Sequence, residues 1–266
     1  GHFSDEEEIK SNHAGAVIGF KGLKRGDVVN AKVASSFISF DQAERNLQSE
    51  IGDQNFEAIK RAGRGVWNDI LGRVKVSGGT DEQFRTFYSC LYRMLFFPLR
   101  MYEKDASGNI VHYSPYTGKT EPGYLFAGTG FWDTFRALYP FLNLVYPSMV
   151  VKMQKGLISD FREGGWLPEW SSPGYRGIMI GNNSASIVSE AYLKGGRGYD
   201  IETLWKALVH GAANEGPEGT GRKGVEYYDR LGYVPNNVNI NENAARTLEY
   251  AYDDYAIYAL GKALGK

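Results

Sequence analysis

The chain has 266 residues, with 30 Lys and Arg against 31 Asp and Glu, so its formal net charge is −1. That balance speaks against a dedicated nucleic-acid binder, which carries a basic excess or stripe, and no apolar run reaches the ~18 residues of a membrane helix. Hydrophobic residues at 42% exclude a disordered chain, and the single Cys90 excludes an internal disulfide framework without fixing a compartment.

Residues 1–8 do not read as a signal peptide: Gly1-His2-Phe3-Ser4 runs into Asp5-Glu6-Glu7-Glu8, with neither a basic nor an apolar region, and processing upstream is expected. Two runs rich in β-branched residues follow, at 16–20 and 28–34, separated by the turn at 22–27 and continued by 35–40. They read as the last strands of a β domain, because two or three strands make no stable sheet alone. From residue 41 the period becomes helical. Asp41 is placed to cap a helix through Glu50, and Asp53 a second one bearing Phe56, Ile59, Val66, Ile70 and Leu71. Thr80 and Gln83 have capping-box spacing, and the helix they open should end by Pro98. A loop is expected over about 100–129. Further helices are expected over 131–146, 148–162, 184–194 (N-cap Ser184), 201–213 (N-cap Asp200), 222–231 and 243–264. Helical hairpins with short glycine-bearing connections suggest an α/α toroid.

The chemistry available is narrow. No His-Glu-x-x-His, Cys-x-x-Cys, Gly-x-Ser-x-Gly or P-loop motif occurs, and the four His (2, 13, 112 and 210) give a nucleophilic triad few partners. Carboxylates remain, and a carboxylate pair is the tool of a glycosidase. Asp133 follows Trp132 at a helix start, as a sugar-hydroxyl acceptor beside an aromatic platform or as a simple partner of the helix dipole. Glu169 lies between Trp166, Pro168 and Trp170. Apolar rings there raise a carboxyl toward the range of a general acid, unless the turn leaves it solvated. Asn182 and Asn183 either bond sugar hydroxyls or shape a turn. Asp253 and Asp254, far inside the last helix, read better as structural than as cleft residues. Arg176, Arg197 and Arg222 read as solvated loop charges. Glycines, 33 of 266, and aromatics, 14%, cluster in the loops at 122–133 and 164–181, which either face a ligand or merely pack.

Taken in order, several stretches resemble glycoside hydrolase family 92, the calcium-dependent α-mannosidases. They are Ser36-Phe37-Ile38-Ser39 with Gln42-Ala43 and Asn46-Leu47, Trp67-Asn68 with Leu71, and Phe87-Tyr88 with Leu91-Tyr92-Arg93 and Pro98. Next come Phe131-Trp132-Asp133-Thr134-Phe135-Arg136, Gly165-Trp166-Leu167-Pro168 with Trp170, Met179-Ile180-Gly181-Asn182 with Ser184, and Thr247-Leu248-Glu249-Tyr250-Ala251.

The resemblance implies a mainly α fold, with residues 1–40 the last strands of a β-sandwich, 41–73 a helical linker and 74–266 the first half of an (α/α)6 toroid. It implies an inverting, exo-acting α-mannosidase, α-1,2 by expectation, trimming terminal mannose from glycans such as N-glycans, with Ca²⁺ on the sugar hydroxyls. Trp132 and Asp133 match the helix start that faces the sugar. The family's acid, base and calcium ligands belong to Glu-Gly-Asn, Asn-Glu-Pro and acidic segments that do not occur before Lys266. The chain is therefore expected to be a piece of a longer enzyme, inactive alone, with its missing half or another chain on an exposed helical face. The resemblance also implies secretion or a periplasmic location. Two other readings stay open: a different α/α-toroid glycosidase using Glu169 with Asp253 or Asp254, and a non-catalytic carbohydrate-binding helical domain.

Overall fold

The structure, a computed structural model, describes residues 10–266. Residues 1–33 and 34–266 form separate units. In the first unit, the described residues 10–33 form neither helix nor strand, and Val17, Ile18, Val28 and Val33 are exposed. The strands expected at 16–20, 28–34 and 35–40 are not formed. β-Branched composition supplies only half of a strand; the other half is a neighbour to bond, and among the described residues none is present. Residues 1–9 lie outside the described residues.

The second unit opens with α1 (Phe40–Glu50), α2 (Phe56–Leu71) and α3 (Asp81–Met94). The first two caps are not the aspartates expected. Ser39 and Asn55, both in extended backbone, accept from the backbone N–H of Gln42 and Ala58, and Asp41 falls inside the first turn of α1. At Thr80 the capping box forms as its spacing predicts, with Thr80 and Gln83 bonding reciprocally.

The stretch expected as a loop is instead paired. Strands β2 (Tyr102–Lys104), β3 (Ile110–Tyr113) and β4 (Thr120–Pro122) form an antiparallel sheet in the order β2-β3-β4. Asp105 closes the first hairpin by accepting from the N–H groups of Ser107 and Asn109, and Gly108 supplies the positive φ that this turn needs. Two shorter pairs flank the sheet: β1 (Leu99–Arg100) with β5 (Phe126–Ala127), and β6 (Thr129–Gly130) with β7 (Trp170–Ser171).

The remaining helices are α4 (Phe131–Thr134), α5 (Leu138–Val145), α6 (Pro147–Gly164), α7 (Ser184–Leu193), α8 (Ile201–Ala213), α9 (Val225–Leu231) and α10 (Asn243–Leu264). The helix expected over 131–146 is thus two helices, broken at Ala137, whose φ of −141° is not helical. Ser184 is the first residue of α7 rather than its cap. Asp200 caps α8 as expected, accepting from Thr203 N–H.

Helix α5 packs on α6 and α7, α6 on α8, and α7 on α8 and α10. One core unites them, with Tyr139, Leu142, Leu157, Ile187, Val188, Leu204, Leu208 and Leu260 buried. Most of α7 is buried, as a helix apolar on nearly every side must be. By contrast α10 leaves Leu248 73%, Tyr255 67% and Tyr258 61% exposed.

Candidate functional site

The site starts at the β6–β7 pair. Gly130 lies opposite Trp170, and a Cβ on it would stand 2.9 Å from Trp170 Cζ3, so only glycine lets the ring lie against the strand. Phe131 N–H then donates to the Glu169 carbonyl at 3.0 Å, which fixes where α4 begins. One residue on, the Trp132 indole N–H donates to Glu249 Oε1 on α10 at 2.9 Å. The Arg136 guanidinium stands 5.1 Å from the centre of the Trp132 ring and 3.7 Å from Glu249 Oε1. Asp133, in the first turn of α4, is exposed. Beside this cluster runs a groove of about 840 Å³, lined by residues including Arg136, Ser186, Glu190, Glu249 and Tyr252.

Glu169, Asn182, Asn183 and Asp253, also singled out in the sequence, sit in the interior rather than on that groove. Glu169 is 3% exposed, and its carboxylate accepts from Ser184 Oγ at 2.6 Å, Ser184 N–H at 3.0 Å and Asn182 Nδ2 at 3.3 Å. Burial pushes it up to about 8, helped by the charge of Asp253 and opposed by the Ser184 and Asn182 donors. Asp253 is fully buried. Its Oδ2 accepts from Asn182 N–H at 2.6 Å, and its Oδ1 has no hydrogen-bond partner. Burial pushes this carboxyl to about 7 against the pull of Asn182 N–H and Arg222. Asn183 is also buried and donates to the Ile180 carbonyl at 3.3 Å.

Arg222 corrects the expectation of a solvated loop charge. It is 2% exposed, donates through Nε to Asn182 Oδ1 at 3.1 Å, and pairs with Asp254 Oδ1 at 2.7 Å. A cation there offsets part of the cost of enclosing the Asp253 carboxyl. Arg176 and Arg197 remain exposed, as expected.

Chemically, this places Glu169 and Asp253 in one hydrogen-bonded cluster joined by Asn182, but away from any open wall. A general acid has to come within hydrogen-bond reach of the glycosidic oxygen. Glu169 has Ser184 and Asn182 in the positions a substrate would need. Asp254 is half exposed but is held by Arg222 and by the Tyr228 hydroxyl at 3.0 Å.

The residue that sequence reasoning did not assign to the site is Glu249. Its contact with Trp132 spans 117 positions, so no local pattern announces it. Among the described residues, no three His, Cys, Asp or Glu side chains gather where they could hold a metal ion.

Comparison with known proteins agrees with this architecture. The model of the family described as "Glycosyl hydrolase family 92 catalytic domain" matches residues 42–266. The family GH92 inverting mannosidase BT2199 of Bacteroides thetaiotaomicron superimposes with a TM-score of 0.84 at 48% identity, over 87% of this chain and 32% of that one. The GH92 α-mannosidase BT3965 of the same organism gives 0.77 at 27% identity, over 86% of this chain and 30% of its own. An uncharacterized secreted glycosidase of Arthroderma benhamiae is 28% identical over 269 residues, which is 95% of this chain and 30% of that protein. The chain thus spans about a third of the length of the relatives it matches. With the family match running from Gln42 to Lys266, the chain belongs to glycosyl hydrolase family 92.

Proposed function

We propose that this chain supplies one wall of the substrate cleft of an inverting, exo-acting α-mannosidase that removes terminal, α-1,2-linked mannose from glycans. The observation that carries the reading is the start of α4. There Trp132 is held by Glu249 while Asp133 stays exposed, an aromatic ring beside a free acceptor for sugar hydroxyls. The 48% identity to a structure described as an inverting mannosidase supports the reaction class.

Inversion needs two carboxyls about 6.5–9.5 Å apart, with room for a water on the far side of the sugar. Glu169 is enclosed by hydrogen bonds and Asp253 is fully buried, so we assign them no role in proton transfer. The acid and base come from outside residues 1–266, and the chain alone is inactive. The same reading places the ligands of the Ca²⁺ expected of the family outside residues 1–266.

The alternation of packed helices from α5 to α10 supports reading residues 74–266 as the first half of an (α/α)6 toroid. We read 41–73 as its helical linker and 1–40 as the last strands of a β-sandwich domain. The exposed stripe of α10 is where the remaining helices, or another chain, would pack. The likeness to a secreted glycosidase supports an extracytoplasmic site of action.

The test compares the full-length gene product with the 266-residue chain, each given Ca²⁺ and α-1,2-mannobiose, with the first-formed anomer read by NMR. The full-length protein should release β-mannose. Asp133→Asn should lower its kcat/KM by about a hundredfold, the cost of misplacing a bound substrate. Turnover by the short chain alone would overturn the division of labour. Saturable binding without turnover by the full-length product would replace the enzyme with a sugar-binding protein.

A further inference from the structure

We propose that Glu249 is a positioning residue: it selects one of the orientations open to the Trp132 indole and so sets the shape of the sugar-facing wall. The inference rests on the reading that Trp132 faces the sugar. It goes beyond that reading by assigning the part to a residue on α10, far away in sequence.

The argument begins with what an indole needs. Apolar packing holds an indole in its slot but barely distinguishes the ring from its flipped form, because both bury nearly the same surface. A single acceptor at the Nε1 edge breaks that degeneracy, since only one orientation makes the bond and the other leaves the N–H without that partner. Glu249 Oε1 is that acceptor, at 2.9 Å. Its side chain is 18% exposed, enough shielding to strengthen a charge-assisted bond. Arg136 stands 3.7 Å from the same oxygen and over the ring face, so edge and face are both constrained.

The second part is what fixes Glu249. One helical turn further along α10, Asp253 accepts from Asn182 N–H. Asn182 in turn donates its side-chain amide to Glu169, whose carbonyl accepts from Phe131, the residue before Trp132. The chain of contacts therefore closes: Trp132 to Glu249, along α10 to Asp253, across Asn182 to Glu169, and back to Phe131. Four stretches of chain, at 131–132, 169, 182 and 249–253, are tied into one loop of contacts that holds α10 against α4. Buried side chains that do nothing for proton transfer acquire a purpose in this loop, which is to hold a distance.

The experiment uses the full-length enzyme carrying Glu249→Leu, Glu249→Gln or Trp132→Phe, labelled with 5-fluorotryptophan. The ¹⁹F resonance of Trp132 is the one lost in Trp132→Phe. Glu249→Leu should shift or broaden that resonance alone and lower kcat/KM for α-1,2-mannobiose by roughly ten- to a hundredfold, mostly in kcat. Glu249→Gln still offers an acceptor oxygen and should recover to within about threefold of wild type. In the Trp132→Phe background, Glu249→Leu should cost nothing further. Should Glu249→Leu not accumulate as folded protein, Glu249→Met carries the same expectations. An unmoved Trp132 resonance overturns the proposal, as does a Glu249→Leu effect that persists without Trp132. If the wild-type enzyme fails to act on mannosides, the proposed function falls, while the resonance still decides the positioning role.

Discussion

His112 should fasten the small sheet to α6, and its removal should loosen that sheet by orders of magnitude. The residue is fully buried on β3. Its Nδ1 faces the Gly123 carbonyl at 3.0 Å and its Nε2 faces both carboxylate oxygens of Glu163 at 3.1 Å. Carbonyl and carboxylate oxygens accept, so with Glu163 ionised both ring nitrogens donate and the ring carries a positive charge. Burial works against that charge. The bonds to Glu163 and Gly123, with the charges of Glu163 and Asp160, outweigh it and hold His112 above its ordinary value.

Replacing the ring by Ala leaves Glu163, 12% exposed, as an almost enclosed anion with no partner. Breaking a buried ion pair in this way costs about 3–5 kcal/mol. At about 1.4 kcal/mol per decade, the opening equilibrium of β2–β4 should rise by roughly two to four orders of magnitude. Hydrogen exchange of amides 102–122 in the full-length protein measures it directly.

The pH dependence has a definite sign. A native value above the ordinary 6.5 means that the contribution of His112 is complete below pH 6.5 and is lost as pH rises through the native value. Asp160 works in the same direction, since burial pushes it to about 7 against the bond that Tyr116 donates to it at 2.7 Å. Asp160→Asn separates the two. Protection corrected for intrinsic exchange should therefore fall toward alkaline pH in the wild type, and the slope that remains in Asp160→Asn should be largely lost when His112→Ala is added. A change under tenfold on mutation, or protection that grows with pH, would refute the rivet.

Three further outcomes follow from the same geometry. Glu169, raised by burial from 4.5 to about 8, contributes stability that is present below pH 4.5 and lost as pH climbs through 8. Glu169→Gln should therefore flatten the fall in Tm over that window, and an unchanged slope would show that the carboxyl is ionised in its cluster. Gly130→Ala forces a methyl into the Trp170 ring, so Tm should drop by an amount worth about 1–3 kcal/mol, and a silent substitution would show that the β6–β7 pair is looser than described. The isolated 266-residue chain should self-associate in sedimentation velocity through Leu248, Tyr255 and Tyr258, and Leu248→Glu should reduce this. A chain that stays monomeric with or without the substitution would refute the open-face reading.

How much of this was legible in the sequence depends on the range of the interaction concerned. Thr80 and Asp200 announce their helices because a cap is completed within three residues, and both form. The hairpins between 100 and 122 escaped because strands of two to four residues are too short to show alternation, although Asp105 and Gly108 carry a readable turn. The runs at 16–20 and 28–34 erred the other way: their composition is that of strands, and no partner strand is present among the described residues.

The site divides along the same line. Trp132 and Asp133 could be picked out because a helix start and an aromatic–acid pair are local features. The rings around Glu169 left a buried, raised carboxyl and a solvated one both open; the structure buries it, yet the same rings also suggested a general acid. What decides between acid and anchor is whether the remaining lone pairs face a substrate or a donor. Here the donors are Ser184 and Asn182, fifteen and thirteen residues away on the rim of α7. Arg222 shows the limit most clearly: glycines on either side make it look like a surface loop, whereas Asn182, Asp254 and Tyr250 enclose it from two other segments. A raised carboxyl is thus a marker of enclosure first. It becomes a marker of catalysis only where one side of the enclosure is open, and at Glu169 no side is.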